Sequence, residues 1–137
     1  MSEADPLALP EPDLSELGRP FWDALQQGQL SFQRCTACGH AWLPARSECP
    51  QCLAATWQRE AAKGDATLVS WVVYRHAYQP AFAQRLPYTV AVVQLAEGPR
   101  MITNIVGAEP AQLRIDQPLR LQIEPDGELA VPRFKPA

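Results

Sequence analysis

Cys35-Thr36-Ala37-Cys38-Gly39 and Cys49-Pro50-Gln51-Cys52 decide how this chain folds. A Cys-x-x-Cys turn delivers two thiolates from one tight knuckle, and a second knuckle completes the tetrahedron that Zn2+ prefers. Gly39 suits the backbone bend that follows the first pair, and Pro50 stiffens the second. The ten residues between the pairs leave room for a short two-stranded ribbon. Two disulfides or one redox-active pair are the alternatives. Against them stand the absence of a thioredoxin-type strand before Cys35 and of a recognisable secretory signal. No cysteine is left over to act as a nucleophile, because Cys35, Cys38, Cys49 and Cys52 are the only four.

Working outward, Ser31–Arg34 and Ala41–Pro44 flank the first knuckle as short strands. A module of about thirty residues buries too little surface to fold alone, so metal is expected to supply most of its stability. Upstream, residues 1–13 carry Pro6, Pro10 and Pro12 and read as a flexible leader. Residues 14–29 form a helical segment. Its helix is expected to start near Pro20, whose fixed φ suits a first helical position, and to stop at Gly28. Leu14, Leu17, Phe21 and Leu25 recur at spacings of three and four as one apolar stripe, with Trp22 beside it. Phe21, Trp22 and Leu25 are therefore candidates for contact with a partner.

From Gly64 the pattern turns to β. Ala66–Tyr74, Tyr88–Leu95, Met101–Val106, Leu119–Glu124 and Leu129–Val131 predict five strands. Asp126-Gly127 predicts a type I′ hairpin between the last two. Pro110–Leu113 supplies a single helical turn after the third strand. Five strands with that insert describe an OB-type barrel. The expected fold is thus mainly β: an N-terminal helix and a four-cysteine zinc ribbon (30–58), followed by a five-stranded OB-fold barrel (59–137). The first two barrel strands are apolar on both faces, so the outer face needs a cover, from the zinc module or from another chain. The loop Arg75–Pro87, with Tyr78, Phe82 and three candidate cations, is longer than a mere connection requires.

The combination resembles the DUF35 family. The residues that carry the likeness are Phe21-Trp22, Leu25, Gly28-x-Leu30, Cys35-x-x-Cys38-Gly39 and Pro44-x-Arg46-x-x-Cys49-Pro50-x-Cys52. Further on they are Gly64, Leu68-x-Ser70, Tyr88-x-Val90-Ala91-x-Val93-x-Leu95-x-Glu97-Gly98 and Pro132-x-Phe134. Leu53 departs from the pattern, since the family often places a glycine after the last cysteine. The resemblance implies a rubredoxin-like zinc ribbon joined to an OB-fold. It also implies a non-catalytic subunit that assembles with a thiolase or thiolase-like enzyme in acyl-CoA, lipid or sterol metabolism and in some systems binds the acyl-CoA.

The residues set limits of their own. A catalytic zinc keeps an open coordination position, and four thiolates leave none. The only imidazoles are His40, beside a knuckle, and His76, in the long loop. Up to Asp23 six acids face Arg19 alone, a net of −5, while the remainder holds eleven basic and nine acidic residues. That balance argues against a nucleic-acid-binding OB module, the competing function, which needs a cationic groove and stacking aromatics. Arg34, Arg46, Lys63, Arg75, His76 and Arg85 are candidates for CoA or partner contact, and Tyr78 and Phe82 for partner contact. No apolar run is long enough to cross a bilayer, and the acidic N-terminus is unlike a signal peptide, so a cytoplasmic setting is expected.

Overall fold

Pro20 and Gly28 bound the helix in the computed structural model, which describes residues 10–137. Helix α1 spans Arg19–Gln26, with Pro20 in its first turn. Its end is a Schellman motif: Gly28, at φ 82°, donates its N–H to Leu25 O, and Gln29 donates to Ala24 O. The helix is shorter than the apolar stripe. Leu14 and Leu17 precede it, and Leu14 is exposed, so the buried face reduces to Leu25 with Phe21 and Trp22 partly covered. The expected leader falls largely on residues 1–9, outside the described residues.

The ribbon is three-stranded. Strands β1 (Ser31–Cys35) and β2 (Ala41–Trp42) embrace the first knuckle as expected. A third strand, β3 (Trp57–Ala61), pairs antiparallel with β1 along its whole length, from Ser31 opposite Ala61 to Cys35 opposite Trp57. Sequence reading missed β3 because Trp57-Gln58-Arg59-Glu60-Ala61 shows no apolar alternation. Its outer face is covered by long polar side chains instead.

Strands β4 (Asp65–Tyr74), β5 (Tyr88–Leu95), β6 (Arg100–Ile105), β7 (Pro118–Asp126) and β8 (Leu129–Pro136) close a barrel in the order β4-β5-β6-β8-β7. That is the OB arrangement, and the turn Pro110–Gln112 lies where it was expected, between β6 and β7. The Asp126-Gly127 hairpin needs a correction. Asp126 pairs with Leu129, so Gly127 and Glu128 are the two loop residues. Positive φ occurs at Gly127 and not at Glu128, the sign pattern of a type II′ turn rather than I′.

Alternation along β5 is strict, with Thr89, Ala91, Val93 and Leu95 buried. A bulge between Leu68 and Ser70 shifts the register of β4, so that Leu68 and Trp71 both face inward while Ser70, Val72 and Tyr74 face out. Leu68, Val93, Leu95, Leu119 and Phe134 fill the barrel, each fully buried. Each such side chain contributes about 1.5–3 kcal/mol of burial. Leu25 of α1 and Leu30 belong to the same cluster, so the N-terminal segment plugs the barrel as well as preceding the ribbon. The ribbon's own buried cluster is only Cys35, Trp42 and Cys49, with Ala54 and Trp57 against it.

Candidate metal centre and partner-facing surface

The two knuckles repeat one backbone design. Gly39 N–H donates to Cys35 O, and Leu53 N–H donates to Cys49 O. One residue on, the chain returns a carbonyl to the first cysteine of each pair, with Cys35 N–H donating to His40 O and Cys49 N–H to Ala54 O. The residue after each second cysteine takes a positive φ, 82° at Gly39 and 67° at Leu53. The sequence departure at Leu53 thus places a branched side chain, 71% exposed, in the left-handed region at a cost of about 1–2 kcal/mol.

This design brings four sulfurs together. All lie within 4.8 Å of one another, and two close pairs, Cys35–Cys52 and Cys38–Cys49, are 3.6 Å apart. A tetrahedron with Zn–S bonds of about 2.3 Å requires sulfurs about 3.8 Å apart, so the cluster fits zinc. Each close pair joins one knuckle to the other, unlike the pairing within a single Cys-x-x-Cys that a redox site uses. Backbone N–H groups of Cys38 and Ala37 point at Cys35 Sγ (3.4 and 3.3 Å), and those of Cys52 and Gln51 at Cys49 Sγ. The Cys38 N–H, helped by Ala37, draws the Cys35 thiol down to about 7 against its burial. Cys38 is held up at about 12: the His40 N–H would lower it, but burial and the other sulfurs outweigh that donor. Four sulfurs this close cannot all ionise unaided, and a dication removes the conflict.

The knuckles are anchored by residues that sequence reasoning overlooked. Gln33, fully buried, donates to Arg46 O at 2.8 Å and accepts from Arg46 N–H at 2.9 Å, clamping the approach to the second knuckle. Trp57 Nε1–H donates to Ser47 O. Glu60 on β3 accepts from Arg34, whose other nitrogen donates to Gly39 O. A buried glutamine in a strand has no sequence signature; its role emerges only once β1 lies beside residue 46.

The candidate cations do not gather into one site. Arg34 and Arg46 belong to the ribbon. Lys63 precedes β4 and Arg75 follows it, so ten strand residues, about 30 Å of chain, separate them. Arg85 closes the short 3-10 helix Pro80–Arg85 and is committed to Asp126, with Nη2–Oδ1 at 2.9 Å. Asp126 also accepts from Arg133 at 2.8 Å, and Arg133 reaches Glu124. Arg85 first and Arg133 second hold the Asp126 carboxyl down at about 2. The long loop is therefore latched to the β7–β8 hairpin. Arg46 and Arg75 have no side-chain polar partner among the described residues. His76 packs edge-on to Tyr78, and His40 stacks on Trp42.

The zinc module does not cover the outer face of β4–β5–β6, as one of the two expected covers would have. Helix α1 rests on β8 instead, leaving Val72 (56% exposed) and Ile102 (73% exposed) in the open. Two grooves border this face. One, of about 650 Å3, runs from Phe82, Arg85 and Tyr88 past Val90 to Ile102. The other, of about 360 Å3, lies between Phe21, Trp22, Leu43 and Pro44 and again reaches Ile102. Leu25 is not part of it, being buried in the barrel core. Among the described residues no helix is long and apolar enough to cross a membrane.

A four-cysteine ribbon plugged by its own helix into an OB barrel defines a two-module zinc-ribbon/OB protein. Profiles of the ChsH2 rubredoxin-like zinc ribbon domain and the ChsH2 C-terminal OB-fold domain match residues 22–58 and 59–124. A DUF35 domain-containing scaffold protein of Methanocaldococcus jannaschii is 31% identical over 75% of this chain and 78% of its own length. The chain belongs to the DUF35 family. It is also 38% identical, over 99% of its length, to a probable enoyl-CoA hydratase alpha subunit of Thermomonospora curvata, of which it spans 43%. Among solved structures it matches a chain of the Ltp2-ChsH2(DUF35) aldolase with a TM-score of 0.80 and 36% identity, covering 92% of this chain and 98% of that one.

Proposed function

We propose that this chain is a non-catalytic accessory subunit of a thiolase-fold enzyme acting on CoA thioesters, of thiolase, aldolase or acyltransferase type. The observation that carries this is the likeness to the DUF35 chain of an aldolase assembly across nearly the whole of both chains. The relatives named scaffold proteins support the same role. Zn2+, held by Cys35, Cys38, Cys49 and Cys52, is structural: when bound it neutralises the clustered thiolates and fixes the knuckles, and the N–H groups that donate to the Cys35 and Cys49 sulfurs orient them for it. A reducing, cytoplasmic setting keeps those thiols available. The partner supplies the reacting groups. Direct contact with acyl-CoA falls to Arg75 and His76 at the barrel's loop end, and Arg46 on the ribbon side meets the partner.

A hydratase partner is the second reading, favoured by the alpha-subunit relatives, of which this chain spans about two fifths. A nucleic-acid module fits less well. The groove beside Tyr88 is lined by Glu109 and Glu124 as well as Arg85 and Arg133, so its charges offset each other. The test is purification of the tagged chain from its source cells, with mass spectrometry of what accompanies it. A stoichiometric thiolase-fold enzyme is expected. A solitary chain, or one carrying nucleic acid that nuclease removes, overturns the proposal.

A further inference from the structure

We infer that the outer face of β4–β5–β6, centred on Ile102, is where the chain docks on its enzyme partner. The inference rests on the accessory-subunit proposal and names its surface. Register places the side chains in rows: Ile102 opposite Val92 and Ser70, Asn104 opposite Val90 and Val72, and Tyr88 opposite Tyr74. All stand on the solvent side of the barrel, because their neighbours Met101, Thr103, Ala91 and Val93 are buried. Three strands span about 10 Å, and three rows along them about 14 Å. The two grooves extend this grid at opposite corners. They take it to Phe21 and Trp22 on one side and to Phe82 on the other, next to Tyr78, which is 78% exposed.

Two aromatic groups far apart in sequence are thus ends of one surface, with Ile102 shared by both grooves. Val72 and Ile102, 56% and 73% exposed, stand open at its centre, with Val90 and Val92 half-buried between them. Its chemistry selects the occupant. In OB barrels this side, between the first loop and the last hairpin, takes oligonucleotides or oligosaccharides. Here its centre is β-branched aliphatic, and its arginines 85 and 133 are consumed by Asp126 and Glu124. Phosphates and sugars gain little from such a face, whereas the apolar surface of a folded enzyme gains its desolvation. The latch of Arg85 on Asp126 holds Phe82 and its 3-10 helix at the edge of the patch before any partner arrives, which lowers the ordering cost of docking.

The test uses full-length chain and the enzyme that co-purifies with it, both zinc-loaded, with binding measured by titration. Ile102→Asp and Val72→Asp are expected to weaken association at least a hundredfold. Ile102→Thr, which keeps the strand preference, is expected to weaken it about tenfold. Ile115→Asp, at another exposed isoleucine outside both grooves, should leave it within threefold. Circular dichroism and zinc content should match wild type in all four. An Ile102→Thr and Ile102→Asp pair that both bind like wild type overturns the docking face and leaves the accessory role standing. Wild-type chain that binds no such enzyme removes both. A homodimer of the chain alone that Ile102→Asp dissolves overturns the choice of occupant, the second copy having claimed the face.

Discussion

The ribbon and the barrel are both β structures of this one chain, yet different forces hold them. The barrel buries Leu68, Val93, Leu95, Leu119 and Phe134 in one continuous cluster. The ribbon buries Trp42, Phe32 of β1 and two metal-facing cysteines, and its remaining order comes from polar clamps such as Gln33 on Arg46 and Arg34 on Glu60. A polar clamp contributes about 0.5–1.5 kcal/mol net, and a charged one somewhat more. Clamps of that size cannot offset the ordering of thirty residues at about 1–2 kcal/mol each. Metal therefore has to supply what the barrel obtains from apolar burial. The two meet at Leu25 and Leu30, where the N-terminal segment enters the barrel core.

The largest effect expected from breaking this asymmetry is loss of the metal. Cys49→Ser should lower zinc content below one ion per chain and remove most of the roughly 10–16 kcal/mol that structural zinc supplies to small modules. Metal analysis together with thermal unfolding checks this. Next comes Phe134→Ala, expected to cost the barrel about 3–5 kcal/mol in denaturant titration while leaving zinc content at one. Leu25→Ala should cost about 2–5 kcal/mol and, unlike Phe134→Ala, loosen the contact between the modules.

A smaller effect belongs to the latch. Asp126 is depressed to about 2, so its contribution is fully present above the ordinary carboxylate value near 4 and is lost as pH falls towards 2. Tryptic cleavage at Arg75 or Arg85 should be faster in Asp126→Asn than in wild type at neutral pH. The loop's amides in wild type should lose exchange protection only below about pH 3. Smallest of all, Leu53→Gly should stabilise the second knuckle by about 0.5–1 kcal/mol, because it removes a branched side chain from φ 67°.

What could be read from the chain beforehand follows the same division. Two Cys-x-x-Cys pairs are local and chemically committed, so the sulfur cluster was legible without coordinates. The five barrel strands were legible from β-branched runs, and Gly28 as a helix stop from its place after the apolar stripe. Strand β3 was not, because Trp57–Ala61 is held by long-range pairing with β1 and carries no periodic pattern. The turn at Gly127 was placed one residue early, since Asp126 pairs with Leu129 and leaves Gly127 and Glu128 as the loop. The bulge at Leu68–Ser70 hid the outward set: only with the register known do Val72 and Val90 join Val92 and Ile102 on one face.

Hydrogen–deuterium exchange on the full-length chain, before and after zinc chelation, tests the division between the two modules most directly. Protection is expected to be lost across Ser31–Cys35 and Trp57–Ala61 and retained in Tyr88–Leu95 and Leu119–Ile123. Loss of protection in all of these segments together, or in none, would contradict that division.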